Sequence, residues 1–97
     1  MAQVVPDAEL LARIDRYLDY LFDQWEQLPE MAAEWDEWDP DSRLTFALNW
    51  GVPADRLAQL RGWADAGLLT PAQRRRYDDL LRLVARNQDT LTYLLEN

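Results

Sequence analysis

The sequence predicts an all-α fold, a small helical bundle in which long first and last helices pack together with two or three short helices between them. Three observations lead to this prediction. Apolar residues near both ends of the chain recur at alternating spacings of 3 and 4, the period of one face of an α-helix. Prolines and glycines divide the middle into short helical stretches. No segment alternates apolar and polar residues as a half-buried strand does, so we expect one α-helical domain over residues 1–97.

The first helix is expected to begin after Asp7, whose carboxylate can accept hydrogen bonds from the free N–H groups of the first turn. Leu10, Tyr17 and Phe22 widen its apolar stripe beyond a narrow coiled-coil seam. Pro29 disfavours helical backbone in the residue before it, so the helix should end or kink there. The stripe itself repeats every seven residues and consists of Leu11, Ile14, Leu18, Leu21, Trp25 and Leu28.

Two short helices are predicted next. Residues 30–38 are typical of a helical turn or two, with Pro29 tolerated at the first position. Asp39 then caps another helix, with Pro40 at its first position, and we expect that helix to run to Trp50.

Two glycines are predicted to end helices. Gly51 should adopt the left-handed conformation that commonly terminates a helix. Pro53 then opens a further helix, which should run to about Ala66 and end at Gly67.

The last helix is predicted over residues 71–95. Thr70 and Gln73 form a capping-box pattern at its start, in which each side chain bonds the other residue's backbone N–H. Asn87 interrupts the apolar stripe, and two interpretations stay open: a buried polar residue that fixes register, or a break with Asp89 capping a final short helix. The stripe again has spacings of 3 and 4 and consists of Tyr77, Leu80, Val84, Asn87, Leu91 and Leu94.

Composition narrows the possible functions. The chain has no Cys and no His, which removes disulfides, thiolate metal sites and the commonest general base. Its net charge is −8, the sum of −9 in residues 1–50 and +1 in residues 51–97. Such an acidic chain repels phosphate backbones, so we expect no binding to nucleic acid. Neither a signal peptide nor an apolar run long enough to cross a membrane is apparent, which favours a cytoplasmic protein without a membrane partner.

An acidic column is the first candidate site. We interpret it as a solvated helix face, and predict no catalytic residue, no cofactor and no metal. The alternative is a magnesium-dependent phosphohydrolase that resembles the all-α nucleotide pyrophosphatases, which requires Asp19 or Asp23 to face Glu34 or Glu37. A third possibility is an acidic mimic of nucleic acid that blocks a DNA-binding protein. The column contains Asp15, Asp19, Asp23, Glu26, Glu30 and Glu34.

A tryptophan-acid segment is the second candidate site. Trp35, Asp36, Trp38 and Asp39 combine large aromatic area with charge, a pattern favoured at interaction hot spots. The two tryptophans could instead complete the core. The leading functional hypothesis is a non-enzymatic protein-interaction module, expected to form a homodimer, that binds its partner through these four residues or through an exposed bundle face.

An arginine-rich stretch is the third candidate. Consecutive helical residues point in different directions, so the first three side chains do not form one patch. Arg75, Arg82 and Arg86 come closer to a stripe, which could contact a phosphate or an acidic partner. We expect the arginines to pair with acids of the same chain or of its twin, because the two halves of the sequence differ in charge. The stretch contains Arg74, Arg75 and Arg76, followed by Arg82 and Arg86.

Overall fold

The computed structural model describes residues 7–96, and within that range the chain forms helices and no strand, which confirms the predicted all-α class. The elements are α1 (Ala8–Glu26), α2 (Leu28–Glu34), a 3₁₀ turn (Trp35–Glu37), α3 (Pro40–Asn49), α4 (Gly51–Asp65), α5 (Pro71–Arg86) and α6 (Gln88–Glu96).

The helices form two broken rods that lie side by side. In one rod α1 is followed by α2, and in the other α5 is followed by α6. The long helices α1 and α5 pack on each other, as do α2 and α6. Of the remaining helices, α4 covers α1, while α3 lies against α4 and α6. This layout makes the described part of the molecule long and narrow, about 56 × 21 × 17 Å. The predicted packing of the first long helix on the last is confirmed.

Buried apolar side chains from both rods form the core. Leu11 and Val84 of the predicted stripes are only half-buried, and Leu83 is buried in addition. The seven-residue repeat therefore selects nearly the right face of each long helix. The buried stripe residues are Ile14, Leu18, Leu21, Trp25 and Leu28 from the first rod and Tyr77, Leu80, Leu91 and Leu94 from the second.

The helix starts follow the predicted capping chemistry. The Asp7 carboxylate accepts from the Leu10 N–H at 2.7 Å. At the start of α5 both halves of the capping box form, because the Thr70 hydroxyl accepts from the Gln73 N–H and the Gln73 side chain accepts from the Thr70 N–H. At the end of α4, Gly67 adopts φ 75°, the left-handed conformation expected there.

Gln73 also ties the two rods together. Its amide nitrogen donates to the Leu11 carbonyl at 2.9 Å and to the Asp15 carboxylate at 3.0 Å, both on α1. Because Gln73 is buried, these bonds satisfy a polar group that would otherwise be costly to remove from water. One residue thus starts α5 and fixes its position along α1.

The prediction for Gly51 is wrong. Gly51 is the first residue of α4, and Trp50 alone separates α3 from α4. Trp50 has right-handed helical backbone angles (φ −64°, ψ −20°), so the chain changes direction without a left-handed residue. Its indole is buried against Trp25, which holds the bend by packing. Pro53 consequently lies inside the first turn of α4, where its missing N–H costs nothing.

The last helix breaks at Asn87, where the sequence left two interpretations open. This residue leaves helical geometry (φ −107°, ψ 11°), and its side-chain nitrogen donates to the Leu83 carbonyl at 3.0 Å. Asn87 is buried, so the polar side chain satisfies one of the carbonyls freed at the end of α5. Of the two interpretations left open by the sequence, the break is the observed one, although Asp89 lies within α6 and not before it.

Candidate functional site

A groove of about 610 Å³ opens between α1, α2, α3 and the start of α4. Apolar and aromatic side chains form most of its surface, and short polar side chains of α3 form one edge. We call it the docking groove. Its lining consists of Tyr20, Gln24, Met31, Trp38, Asp41, Ser42, Thr45, Phe46, Asn49, Trp50, Val52 and Pro53.

Stacked aromatic rings make up the inner wall of the docking groove. Phe46 and Trp50 lie one helical turn apart on α3 and its C-cap, with ring centroids 5.4 Å apart. Behind this wall, Trp25 packs edge-on against Trp50 at 4.9 Å, and Trp35 packs against both Phe46 and Trp38. The local sequence explains the wall, because the break after α3 leaves Trp50 wedged between α3 and α1.

Helix α3 exposes apolar residues on the side away from the core. None of its residues is fully buried, and Leu44 and Leu48, one turn apart, are 57% and 72% exposed. We call this pair the crest. Val52, just beyond α3, is 51% exposed and lines the docking groove. On the other side of the crest, Leu44 borders a smaller hollow of about 280 Å³ together with Leu95 of α6. The crest therefore stands as an apolar ridge between two concave surfaces.

The segment that forms one side of the docking groove carries uncompensated negative charge. Six acidic residues between positions 30 and 41 are all exposed, and none of them lies within 4.0 Å of an arginine nitrogen among residues 7–96. One of them, Asp41, lines the groove itself. The six are Glu30, Glu34, Asp36, Glu37, Asp39 and Asp41.

Asp39 has a structural task within this acidic segment. Its carboxylate caps α3 by accepting from the Ser42 N–H at 2.8 Å, and it also accepts from the Ser42 hydroxyl at 3.1 Å. The backbone bond from Ser42, followed by the hydroxyl bond, lowers the pKa of Asp39 below its ordinary value. The Ser42 hydroxyl thus faces a carboxylate that is a weaker base than usual.

The four partner-binding residues predicted from the sequence separate in space. Trp35 is 1% exposed and belongs to the core, where its carbonyl accepts two bonds from the Arg43 guanidinium. Trp38 is half-buried and lines the docking groove. Asp36 is exposed in the 3₁₀ turn, and Asp39 is the α3 cap. The structure therefore brings only Trp38 to a concave surface.

Sequence reasoning missed the residues that make the groove and the crest. Phe46 and Trp50 provide the aromatic wall, and Leu44 and Leu48 provide the exposed ridge. A signal for them was present, because the apolar residues of α3 spread around the helix instead of following one stripe.

The acidic column is exposed to solvent along α1. Asp19 pairs with Arg76 of α5 at 2.8 Å, the one salt bridge between different helices among the described residues. Within α5, Arg74 pairs with Asp78, and Arg82 with Asp79. In residues 7–96 no three carboxylates converge in a way that could hold a metal ion. Of the five arginines of α5, only Arg76 pairs with the acidic half of the chain, while Arg75 and Arg86 form no salt bridge among the described residues.

No known protein family, characterised protein or solved structure matches this chain. Among the helices of residues 7–96, none combines the length and apolar character needed to cross a membrane.

Proposed function

We propose that this chain is a cytoplasmic, non-enzymatic module that binds another protein through the docking groove and the crest. The observation that carries this proposal is α3, which leaves Leu44 and Leu48 in water although its other side packs on the bundle. Isolated exposed apolar residues are ordinary, but a contiguous apolar ridge beside an aromatic groove is typical of an interaction surface. Trp38, which the sequence already indicates as a contact residue, lies in the same groove.

The chemistry of the groove supports binding more than catalysis. Ser42 and Thr45 are the aliphatic hydroxyls that line it, beside the phenol of Tyr20, and the chain contains neither His nor Lys to activate them. The carboxylate nearest to the Ser42 hydroxyl is Asp39, whose lowered pKa makes it a poor proton acceptor near neutral pH.

The two alternatives from the sequence have less support. A magnesium-dependent phosphohydrolase requires acids of two helices around one ion. Asp19, Asp23 and Glu26 of α1 and Asp79 of α5 do line one hollow. Arg76 lies in the same hollow and pairs with Asp19, and no three acidic residues of the range 7–96 are arranged to hold a metal ion. A nucleic-acid mimic requires carboxylates spread over a polar surface, whereas the unpaired acids of positions 30–41 lie on a segment that also contributes Met31, Trp38 and Asp41 to a largely apolar groove.

Site-specific photo-crosslinking in the native cell tests the proposal. A photoreactive residue replaces Thr45, which is exposed and lines the groove, and a matched control replaces Ala58, which is exposed on α4 outside it. We expect a discrete protein adduct from position 45 and not from position 58. An adduct of two copies of the chain would identify the partner as self, the homodimer expected from the sequence. No adduct at position 45, or the same adducts at both positions, would overturn the proposal.

A further inference from the structure

We infer that the docking groove receives a cationic amphipathic helix of a different protein. This inference rests on the proposed function and specifies the chemistry of the partner. It follows from the shape of the surface, from the charge around it, and from the places where this chain's own arginines are engaged.

The shape fits a helix. An amphipathic helix binds a groove by inserting apolar side chains from successive turns. The docking groove, at about 610 Å³, is large enough to receive several apolar side chains from one face of such a helix. Val52 of the groove and Leu48 of the crest are both exposed, so the apolar surface continues from the groove onto the crest. A partner helix that crosses this region would bury groove and ridge together.

The charge selects a cationic helix. Asp41 lines the groove, and Glu34 lies on α2 one turn from Met31, which also lines it. The six unpaired acids of positions 30–41 raise the local negative potential, which attracts a basic partner and repels an acidic one. Charged residues flanking an apolar groove set orientation and partner choice more than they set affinity.

Aromatic faces add a second reason for positive charge. The chain already places guanidinium groups over its own rings, with Arg43 5.6 Å from Trp35 and Arg56 5.6 Å from Tyr20. Trp38 is half-buried and forms part of the groove lining, and indole is the ring that attracts cations most strongly. An arginine of the partner would have the same type of contact available.

A second copy of this chain fits the surface less well. A two-fold dimer sets the same patch of both subunits against itself, so the six unpaired acids of each copy would be brought together. Arg43 of α3 and Arg56 of α4 lie close to this surface but are too few to offset six acids. Arg74, Arg76 and Arg82 pair with acids on α5 and α1. A basic partner removes this repulsion, whereas self-association concentrates it.

Three synthetic helix-forming peptides test the inference. The first carries leucines at successive turns of one face and arginines on its flanks. The second replaces every arginine with glutamate, and the third replaces every leucine with serine. Titration calorimetry gives the affinities, and amide NMR shifts locate the binding. We expect the first peptide to shift the resonances of Thr45, Leu48 and Val52, and the other two to bind at least about tenfold more weakly, a difference of 1.4 kcal/mol or more.

Two charge-matched variants locate the site on the protein. Thr45→Arg and Ala58→Arg add the same charge to exposed helical positions, one inside the groove and one outside it. We expect Thr45→Arg to weaken binding of the first peptide about tenfold and Ala58→Arg to change it by less than about twofold. Circular dichroism confirms that both variants are folded.

The outcomes separate this inference from the proposed function. The inference is overturned if the glutamate peptide binds as tightly as the arginine peptide, if the serine peptide does so, or if both variants weaken binding equally. It is also overturned if the position-45 adduct is a second copy of the chain, although the proposed function then survives. Failure of position 45 to give any adduct rejects the proposed function, whatever the peptides do.

Discussion

Replacing Gln73 with glutamate isolates the tie between the two rods. The substitution preserves size and keeps the oxygen that accepts from the Thr70 N–H, so the capping box survives. It removes the amide nitrogen that donates to the Leu11 carbonyl and to Asp15, and it sets a second carboxylate against the Asp15 carboxylate. Any loss of stability therefore reports on the contact between α5 and α1.

The magnitude follows from these contacts. Each lost hydrogen bond contributes about 1 kcal/mol. Repulsion between the two carboxylates adds about 1 kcal/mol, the value for charges in water, because Asp15 is exposed. A negative charge in the first turn of α5 returns about 0.5 kcal/mol through the helix dipole. Because Gln73 is buried, removal of the new charge from water adds to these terms, and we expect Gln73→Glu to lower the free energy of unfolding by at least about 2–3 kcal/mol and the melting temperature by at least roughly 10–20 °C.

Urea and thermal denaturation followed by circular dichroism measure this effect. Gln59→Glu is the matched control, because Gln59 is exposed and uses only its oxygen, which accepts from the Tyr17 hydroxyl. We expect the control to stay within about 0.5 kcal/mol of the parent protein. A loss below 1 kcal/mol at position 73, or equal losses at both positions, would refute the role of Gln73 as a tie.

The pH dependence of Gln73→Glu has a definite sign. Burial and the neighbouring Asp15 carboxylate raise the pKa of the new carboxyl in the folded protein. The folded variant therefore binds a proton more tightly than the unfolded chain, whose glutamate pKa is about 4.3. The loss of unfolding free energy should be full near neutral pH. It should shrink as pH falls through the raised pKa of the new carboxyl toward about 4. A loss that does not change with pH would exclude the repulsion between carboxylates.

Three further predictions test the helix ends and the aromatic wall. Gly51→Ala should stabilise the protein by about 0.5–1 kcal/mol, because Gly51 is helical with open space around it. Gly67→Ala should destabilise it by about 1 kcal/mol, because Gly67 has a left-handed φ of 75°. Urea denaturation measures both changes in the free energy of unfolding. Trp35→Ala should cost about 3–5 kcal/mol and the half-buried Trp38→Ala clearly less, and equal losses would place Trp38 in the core. Asp39→Ala should lower the melting temperature by roughly 5 °C near neutral pH. Since the pKa of Asp39 is lowered in the folded protein, the difference in melting temperature should be full above the ordinary pKa of 3.8. It should be lost as pH falls through the lowered pKa.

Most of the fold could be predicted because it depends on local chemistry. Asp7 and Thr70 mark helix starts by side-chain bonds to residues three positions away, and Gly67 marks an end by its left-handed backbone. The error at Gly51 has a physical cause. Trp50 keeps ordinary helical backbone angles and is held by burial, so tertiary packing and not a local signal separates α3 from α4. At Asn87, by contrast, the side chain itself bonds the Leu83 carbonyl, and the break was one of two outcomes that the sequence left open.

The candidate site was harder to predict than the fold. Trp35 and Trp38 are three residues apart and look equivalent in the sequence, yet the 3₁₀ turn between them sends one into the core and leaves the other on the groove. The crest depends on which side of α3 meets the bundle, and no stripe on α3 specifies that side. The docking groove is formed by residues of α1, α2, α3 and α4 together, so no single pattern along the sequence predicts it.

The single-residue connection between α3 and α4 has a thermodynamic consequence for recognition. Trp50 connects α3 to α4, which both line the docking groove, and it is buried against Trp25. The two helices therefore cannot move apart without loss of this aromatic contact. The angle between α3 and α4 is set before any partner arrives. Association should require little loss of conformational entropy in this chain, and its heat-capacity change should reflect dehydration of apolar surface and not coupled folding of the module.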